Sequence, residues 1–368
     1  MILKSCIKLK KTLFLIIAAV LFTTVAFGQG RTSREQTILN VFGRLNLADN
    51  LYDNLNYWTD GSAFYRPFFF DACNYEASPR ANSDTIFFCG GNTHEGGWGM
   101  NVLLAADGKM TIANDDWRYK KGDRVEYRTL GGETLLLISD VRTGSAKEVL
   151  KKFDGRLYER YIDDFYRYIF AGSFRRTEGS SETVVFNRGK SVVSGLISRG
   201  ETPYTFIEEF GDTPIPVLRF SDEVVYKANR TLTGMELIPI LTGPDIDLEW
   251  QIEADDAKPV ITLVKTAAGR SDLPPGFFPL ASVQVMTLTE LAMYAGVPTF
   301  RSLGEMRNEI FARHGYKFKT DEWAGYFGTK DWYWPQYDDV SSKLTEIERI
   351  NITLIQLLEK EYAARIIN

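Results

Sequence analysis

The sequence predicts a multi-domain α+β protein: antiparallel β-rich N-terminal and central regions, followed by a small α-helical C-terminal module. Short runs of β-branched and aromatic residues, separated by glycine turns, predict the strands. Apolar residues at helical spacing behind capping residues predict the helices. We expect a signal peptide at 1–28, a helix at 29–56, a β-rich domain at 57–165, a small antiparallel barrel or sandwich at 166–265, a linker at 266–282 and the helical module at 283–368.

Composition and charge exclude several classes of function. Hydrophobic residues make up 44% and charged residues 25% of the chain, as in ordinary globular proteins. The formal charge is −5, and without residues 1–28, which hold four lysines and no acid, it is −9. A nucleic-acid partner would require a basic surface, so we expect none. The chain has only two histidines, and we expect no cofactor and no metal.

Residues 1–28 have the pattern of a cleaved signal peptide. An apolar run from Leu13 to Phe22 follows the lysines, and Ala26-Phe27-Gly28 places small residues at the cleavage position. The run is much shorter than the roughly 20 residues that a membrane-spanning helix needs. We expect a mature chain from Gln29, in the periplasm or outside the cell, with no membrane span. A retained short anchor is the alternative.

Cys73 and Cys89 remain after cleavage, and an even number of cysteines in an oxidising compartment favours a disulfide between them. Two free buried thiols are the first alternative. A zinc site with His94 as third ligand is the second, although zinc normally needs a further ligand.

Turn and cap residues place several elements. Ser33 and Gln36 predict the capping box of the N-terminal helix, while Asp107-Gly108 and Gly131-Gly132 predict hairpin turns. Further short strands are predicted at 170–174, 183–186, 191–193, 204–207 and 217–220. In the C-terminal module, capping boxes are predicted at Thr287 with Glu290 and at Thr345 with Glu348. Between them, a helix is predicted from about Ser302 to Gly315, where glycine suits the left-handed position after a helix.

The segment Met306-Arg307-Asn308-Glu309-Ile310-Phe311-Ala312-Arg313-His314-Gly315-Tyr316 resembles the signature of the YARHG domain, with Phe311 at the Tyr position. Tyr326-Phe327, Trp332-Tyr333, Leu344-Thr345, Glu348 and Asn351-Ile352 agree with it, as do Pro275 to Pro279 and Ala281-Ser282 upstream. The resemblance covers about residues 273–368. It implies a small helical module of secreted bacterial proteins, with no established activity and therefore no catalytic residues.

The aromatic and basic residues of this module have two interpretations. Capping and packing explain most of them, because Glu309 and Arg313 form an i,i+4 pair and a small domain needs large side chains for its core. Alternatively, they bind a ligand. The basic residues would then hold an anion, and the aromatic rings would face the apolar side of a sugar. The candidate binding residues are Arg307, Arg313, His314, Trp332, Trp334 and Tyr337.

No nucleophile elbow, zinc-protease helix or phosphate loop occurs in the sequence. His94 lies in a glycine-rich stretch that is typical of a polar turn, and Cys89 with His94 is a weaker candidate for a thiol nucleophile. Glycan cleavage needs two carboxylates. The candidates are Asp115 with Asp116, Asp163 with Asp164, and Asp245, Asp247 and Glu249, although solvated turns explain these residues better.

The sequence therefore predicts an exported protein of the bacterial cell envelope with a non-catalytic role in binding or scaffolding. Its expected partner is a cell-wall glycan, peptidoglycan or an envelope protein. The alternative is a hydrolase of cell-wall or extracellular polymer, using carboxylates that the sequence does not identify. A third interpretation is a structural envelope protein whose domains only pack together.

Overall fold

The structure is a computed structural model. It describes residues 31–43, 57–59, 71–76, 83–92, 96–116, 118–153, 166–167, 169–178, 183–187, 192–198, 200–209, 215–221, 224–231, 233–243, 253–268, 273–296 and 300–367. In these ranges it confirms the α+β class, with two antiparallel sheets followed by C-terminal helices. The predicted signal peptide lies outside the described residues, as do His94, Asp163, Asp164, Asp245, Asp247 and Glu249.

Helix α1 (Ser33–Phe42) has its N-cap at Thr32, one residue before the predicted cap at Ser33. The capping box is formed by Thr32 and Glu35, not by Ser33 and Gln36, because the Glu35 carboxylate accepts the Thr32 backbone N–H at 2.8 Å. Gly43 ends the helix with a φ of 76°, a left-handed conformation that glycine adopts without a steric penalty. Residues 44–56, which the sequence assigned to the same helix, lie outside the described residues.

The first sheet has eight strands in the order β1-β8-β7-β6-β5-β4-β3-β2. Both predicted hairpin turns are confirmed, since Leu104 pairs with Met110 across one and Leu130 with Glu133 across the other. The strands are β1 (Tyr57–Thr59), β2 (Asp71–Glu76), β3 (Ser83–Asn92), β4 (Gly96–Ala105), β5 (Met110–Ile112), β6 (Arg124–Leu130), β7 (Glu133–Ser139) and β8 (Ala146–Phe153).

Strand β7 of this sheet is buried on both faces. Leu136 and Ile138 pack into a core with Phe42 of α1, whereas Leu135 and Leu137 pack into a second core on the opposite face. Successive side chains of a strand point to opposite faces, so a continuous apolar run indicates a strand that is covered on both sides.

The second sheet is an antiparallel meander in the order β12-β11-β10-β9-β17-β16-β15-β14-β13. Its edge strands β12 and β13 are joined by Tyr204 alone, and its first and last strands in sequence, β9 and β17, pair with each other. The sheet therefore curls until its two edges meet at Tyr204. The strands are β9 (Gly172–Arg176), β10 (Thr183–Asn187), β11 (Val192–Ser194), β12 (Glu201–Pro203), β13 (Thr205–Glu209), β14 (Ile215–Ser221), β15 (Val224–Thr231), β16 (Gly234–Pro239) and β17 (Ile261–Ala268).

The C-terminal helices share one hydrophobic core with both sheets. This core joins Leu135 of the first sheet, Phe174 of the second, and Leu291, Met306 and Leu354 of the helices. The helices are α2 (Leu280–Val283), α3 (Leu288–Ala295), α4 (Phe300–Arg313), α5 (Asp321–Gly328) and α6 (Glu346–Ile367). None of the described helices is long and apolar enough to cross a membrane.

Buried polar contacts fix the position of the helices on the first sheet. Lys151 of β8 lies 2.9 Å from the carboxylate of Glu290 in α3, and each side chain is about 1% exposed. The same ammonium group lies 3.3 Å from Glu133 of β7. Glu290 also completes the predicted capping box with Thr287, so one carboxylate both begins the helix and attaches it to the sheet.

Candidate functional site

Helix α4 carries the signature segment and ends as the sequence predicts. Gly315 has a φ of 77°, and its N–H donates to Ala312 at 2.9 Å. A side chain at this position would be strained twice over. The backbone is left-handed, and a Cβ atom would lie 2.9 Å from the carbonyl oxygen of Trp334. Glycine is therefore required both by the helix end and by the chain that passes beside it.

Arg313 and Glu309 form a buried unit at the start of the C-terminal module. Arg313 pairs with Glu309, and it also donates to the Pro275 carbonyl at 2.7 Å and to Ser282 Oγ at 2.8 Å. The other contacts of the Glu309 carboxylate are the backbone N–H groups of Phe277 and Phe278, at 2.7 and 2.6 Å. Burial raises the pKa of Glu309, although Arg313 and these N–H groups oppose the shift.

The other two basic candidates bind elsewhere on the chain. Arg307 donates to the Glu359 carboxylate of α6 at 3.1 and 3.2 Å. His314 Nε2 lies 2.8 Å from Glu348 at the start of α6, and Thr345 completes the predicted capping box there. Burial acts to raise the pKa of Glu348. Hydrogen bonds from Thr345, Ser282 and His314 outweigh that effect, so the pKa is lowered.

The structure therefore does not bring Arg307, Arg313 and His314 together as one open cation cluster. Helix α4 and the residue directly after it direct these side chains to three different carboxylates, Glu359, Glu309 and Glu348. The Arg313 side chain is 6% exposed, and those of Arg307 and His314 are 25% and 22% exposed.

The aromatic candidates divide into two groups. Trp332 is half-buried, with its ring 6.2 Å from that of Phe327 inside an aromatic cluster that includes Phe318. Trp334 and Tyr337, by contrast, are 73% and 39% exposed. Trp332 therefore belongs to the packing of the module, whereas the other two rings are available to a ligand.

The exposed rings lie on the 334–339 loop, which is held firmly against the end of helix α4. The Gly315 carbonyl accepts the N–H groups of Gln336 and Tyr337 at 2.7 and 2.9 Å. The Lys317 N–H donates to the Tyr337 carbonyl at 2.8 Å. Beside the loop, the Lys343 ammonium lies 4.1 Å from the centroid of the Tyr337 ring. The result is a small preformed surface with an exposed tryptophan at one end and a lysine–tyrosine pair at the other.

The cysteines and acidic pairs have these positions. Cys73 and Cys89 belong to the neighbouring strands β2 and β3, in which Asp71 faces Cys89, but their side chains lie outside the described set. Asp115 accepts the Lys121 N–H at 2.7 Å, and Asp116 accepts those of Arg118 and Tyr119. Both carboxylates therefore stabilise the connection between β5 and β6. Within the described ranges, no group of three or more His, Cys, Asp or Glu residues is arranged to hold a metal ion.

Sequence reasoning missed the residues that connect the module to the sheets. Arg230 of β15 donates to the Tyr294 carbonyl at 2.6 Å and to the Phe277 carbonyl, and it lies over both rings. Lys151 and Glu290 are 139 positions apart. No local pattern pairs residues at such separations, so neither contact has a signal in a single sequence.

Comparison with known proteins finds a match at the C-terminus. No curated protein and no solved structure matches the chain. One family model does match, the YARHG domain, over residues 299–360, which run from the start of helix α4 into α6. That domain is typical of exported proteins. The C-terminal part of this chain is a YARHG domain.

Proposed function

We propose that this is an exported envelope protein and that its YARHG domain binds a cell-wall glycan through the 334–339 loop. Export is supported by the domain itself and by the lysine-rich, then apolar, pattern of residues 1–28. The proposed location is the periplasm or the outside of the cell. The protein is recovered from the periplasm and from the culture medium, and its gel mobility is compared with that of the chain from Gln29. Equal mobility is expected if the signal peptide is removed before Gln29.

The observation that carries the binding role is the exposure of Trp334 on a firmly held loop. A large flat ring that is 73% exposed contributes little to folding, because most of its apolar surface remains in water. The loop backbone is fixed two and three residues further on, where the N–H groups of Gln336 and Tyr337 donate to the Gly315 carbonyl, so a ligand would meet a loop that is already in place. Preorganisation of this kind lowers the entropy cost of binding.

A glycan fits this surface better than a flat apolar partner does. Trp334 would stack under the apolar face of a sugar ring, and Tyr337 lies three residues further along the same loop. The neighbouring Asp338 carboxylate is 81% exposed and would accept hydrogen bonds from sugar hydroxyls. We assign direct ligand contact to Trp334 and Tyr337. Trp332 packs against Phe327 inside the module. Arg307, Arg313 and His314 hold helix α4 and the residue after it, and the loop lies against this end of the helix.

Co-sedimentation with purified peptidoglycan sacculi tests the proposal, using the whole chain from Gln29. Trp334→Ala and Tyr337→Ala are each expected to lower the pelleted fraction several-fold. Val141→Ala, which shortens an apolar side chain that is 49% exposed in the turn between β7 and β8, is the matched control and should pellet like the unaltered protein. Circular dichroism verifies that all variants are folded.

If Trp334→Ala pellets as well as the unaltered protein, the loop is not a glycan site. Release of soluble sugars from the sacculi by the unaltered protein would support the hydrolase alternative instead. An envelope-protein partner would be indicated if the protein sediments with whole envelopes but not with purified sacculi.

We also propose a disulfide between Cys73 and Cys89. Their strands are adjacent and antiparallel, and the oxidising compartment proposed above favours a bond. Closing a loop of this length would add on the order of 3 kcal/mol to the free energy of unfolding. Thiol alkylation under denaturing conditions, followed by mass measurement with and without reductant, tests the bond. Two alkylated cysteines without reductant would disprove it.

A further inference from the structure

Two cationic side chains lie at the end of the second sheet that faces the helical module. Arg230 comes from β15 and reaches Phe277 and Tyr294 of the module. Lys265 comes from β17, directly opposite Phe174 of β9, and its ammonium lies 5.9 Å from the Phe174 ring centroid. Arg230 is opposite Met235 of β16, and Met235 is opposite Leu263 of β17. Lys265 follows Leu263 by two positions, so the two cationic side chains start from the same face of the sheet at nearby levels.

Among the described residues, the groups that contact the Arg230 guanidinium are neutral, and none of them is a carboxylate. Its guanidinium donates to two backbone carbonyls and lies 3.9 Å and 4.3 Å from the centroids of the Phe277 and Tyr294 rings. Carbonyls and aromatic faces stabilise a cation, but they do not neutralise it. The guanidinium therefore keeps its full positive charge between the sheet and the module.

The nearest carboxylate is already engaged. Glu309 interacts with Arg230 at a distance, but it pairs directly with Arg313 and accepts the N–H groups of Phe277 and Phe278. This region therefore brings together three cationic side chains, Arg230, Lys265 and Arg313, and one carboxylate. These four groups carry a net positive charge even when Lys265 is neutral, and protonation of Lys265 increases it.

Among the described residues, the Lys265 ammonium has an aromatic neighbour, Phe174, but no counter-ion. None of them accepts a hydrogen bond from its ammonium or forms an ion pair with it, while the backbone of Lys265 is fixed by an N–H bond to the Thr233 carbonyl at 2.8 Å. Burial, and then repulsion by Arg230, lower the pKa of Lys265 to about 8. A mostly buried amine without a counter-ion is costly for the fold, because desolvation of its charge is not offset by pairing.

We propose that Arg230 and Lys265 bind a single anionic group, a carboxylate or a phosphate, at the junction of the second sheet and the YARHG domain. Such a group supplies a negative charge that the described residues of this region do not provide, and it gives the Lys265 amine a hydrogen-bond acceptor. The bound anion would contact Arg230 and Lys265 of the sheet. Arg230 in turn donates to the Phe277 and Tyr294 carbonyls of the module. Anion binding would then stabilise the attachment of the YARHG domain to the sheet.

The test is the stability of the whole chain from Gln29 in the presence of defined anions. Urea unfolding is measured against increasing inorganic phosphate or acetate, with sodium chloride keeping the ionic strength constant. A ligand that binds the folded state alone raises the unfolding midpoint in proportion to its occupancy. Phosphate alone, acetate alone or both are expected to raise it beyond the chloride series, which also identifies the preferred group.

The variants are Lys265→Met and Lys258→Met. Lys265→Met is expected to lower the apparent anion affinity at least tenfold. Lys258→Met is the control, because that lysine is 54% exposed and already pairs with Asp255 at 2.9 Å. The proposal fails if neither anion exceeds chloride, or if Lys265→Met responds like the unaltered protein, which would indicate adventitious binding only.

A second measurement does not depend on the folding of a variant. Reductive ¹³C-methylation labels the lysine amines of the unaltered protein, and the pH titration of the Lys265 resonance is followed by NMR with and without the effective anion. An anion beside the amine favours its charged form and should raise its pKa. An unchanged titration curve at saturating anion would overturn the proposed contact with Lys265.

Discussion

The backbones of Gly315 and Trp334 lie so close together that a Cβ atom on Gly315 would be 2.9 Å from the Trp334 carbonyl oxygen. The Gly315 carbonyl accepts two N–H groups from the residues that follow Trp334. One glycine therefore ends helix α4 and positions the exposed aromatic loop. The signature glycine and the proposed ligand surface are parts of the same local structure.

Gly315→Ala should destabilise the protein more than an equivalent change at an open glycine. Gly132 has a similar φ of 83°, but nothing lies within 4 Å of its would-be Cβ atom. We expect a loss of about 1 kcal/mol in the free energy of unfolding for Gly132→Ala, and at least about 2 kcal/mol for Gly315→Ala. Urea unfolding measures both. Equal losses would mean that the contact with Trp334 is unimportant.

Lys151→Met should be among the most damaging single changes, because it removes the ammonium group that forms the ion pair with the buried Glu290 carboxylate. Breaking a buried pair in this way costs about 3–5 kcal/mol. Lys152→Met, at the exposed neighbouring position on β8, is the control and should have little effect. In the double variant Lys151→Met with Glu290→Gln, part of the loss should be recovered. If Lys151→Met and Lys152→Met unfold at the same urea concentration, the ion pair is not holding the module on the sheet.

Trp334 should contribute strongly to the solvent-accessible part of the tryptophan fluorescence. Acrylamide quenching of Trp334→Phe should show a clearly smaller accessible fraction than that of the unaltered protein. Trp332→Phe is the matched comparison, because this ring is half-buried two residues away. The exposed position of Trp334 is wrong if Trp332→Phe reduces the accessible fraction by more.

Acid should remove the stability that Glu348 contributes. Because its pKa is lowered in the folded protein, its contribution is complete above the unfolded value of about 4.3 and disappears as the pH falls through the folded value. The difference in unfolding free energy between the unaltered protein and Glu348→Gln should therefore shrink between pH 5.5 and pH 3. Glu361→Gln, an exposed position on the same helix, controls for the loss of one charge. A difference that grows as the pH falls would contradict the expected sign.

Local signals predicted local structure well. The hairpin at Asp107-Gly108, the capping boxes at Thr287 and Thr345 and the left-handed Gly315 are all confirmed, because each depends on residues a few positions apart. The error at Ser33 has the same origin. Thr32 and Ser33 are both acceptable caps, and only the folded chain reveals that the Glu35 carboxylate selects Thr32.

The site was only partly predictable, because its exposure and its contacts depend on residues far apart in the sequence. Trp332 and Trp334 are indistinguishable in sequence, yet one packs on Phe327 and the other faces solvent. Arg313 was correctly paired with Glu309, whereas the partners of Arg307 and His314 come from helix α6, 52 and 34 positions away. Helix α5 was missed as well, since its glycines and aromatic residues conceal the helical pattern.

The contacts of Glu309 also restrict how this domain can be transplanted. Residues 299–360 include Glu309 and Arg313, but the N–H groups that bind the Glu309 carboxylate belong to Phe277 and Phe278. A chimera cut at residue 299 would leave that carboxylate without two of its donors and Arg313 without Pro275 and Ser282. A transplanted domain should therefore begin before Pro275, and the recipient protein must supply a surface in place of the lost sheets.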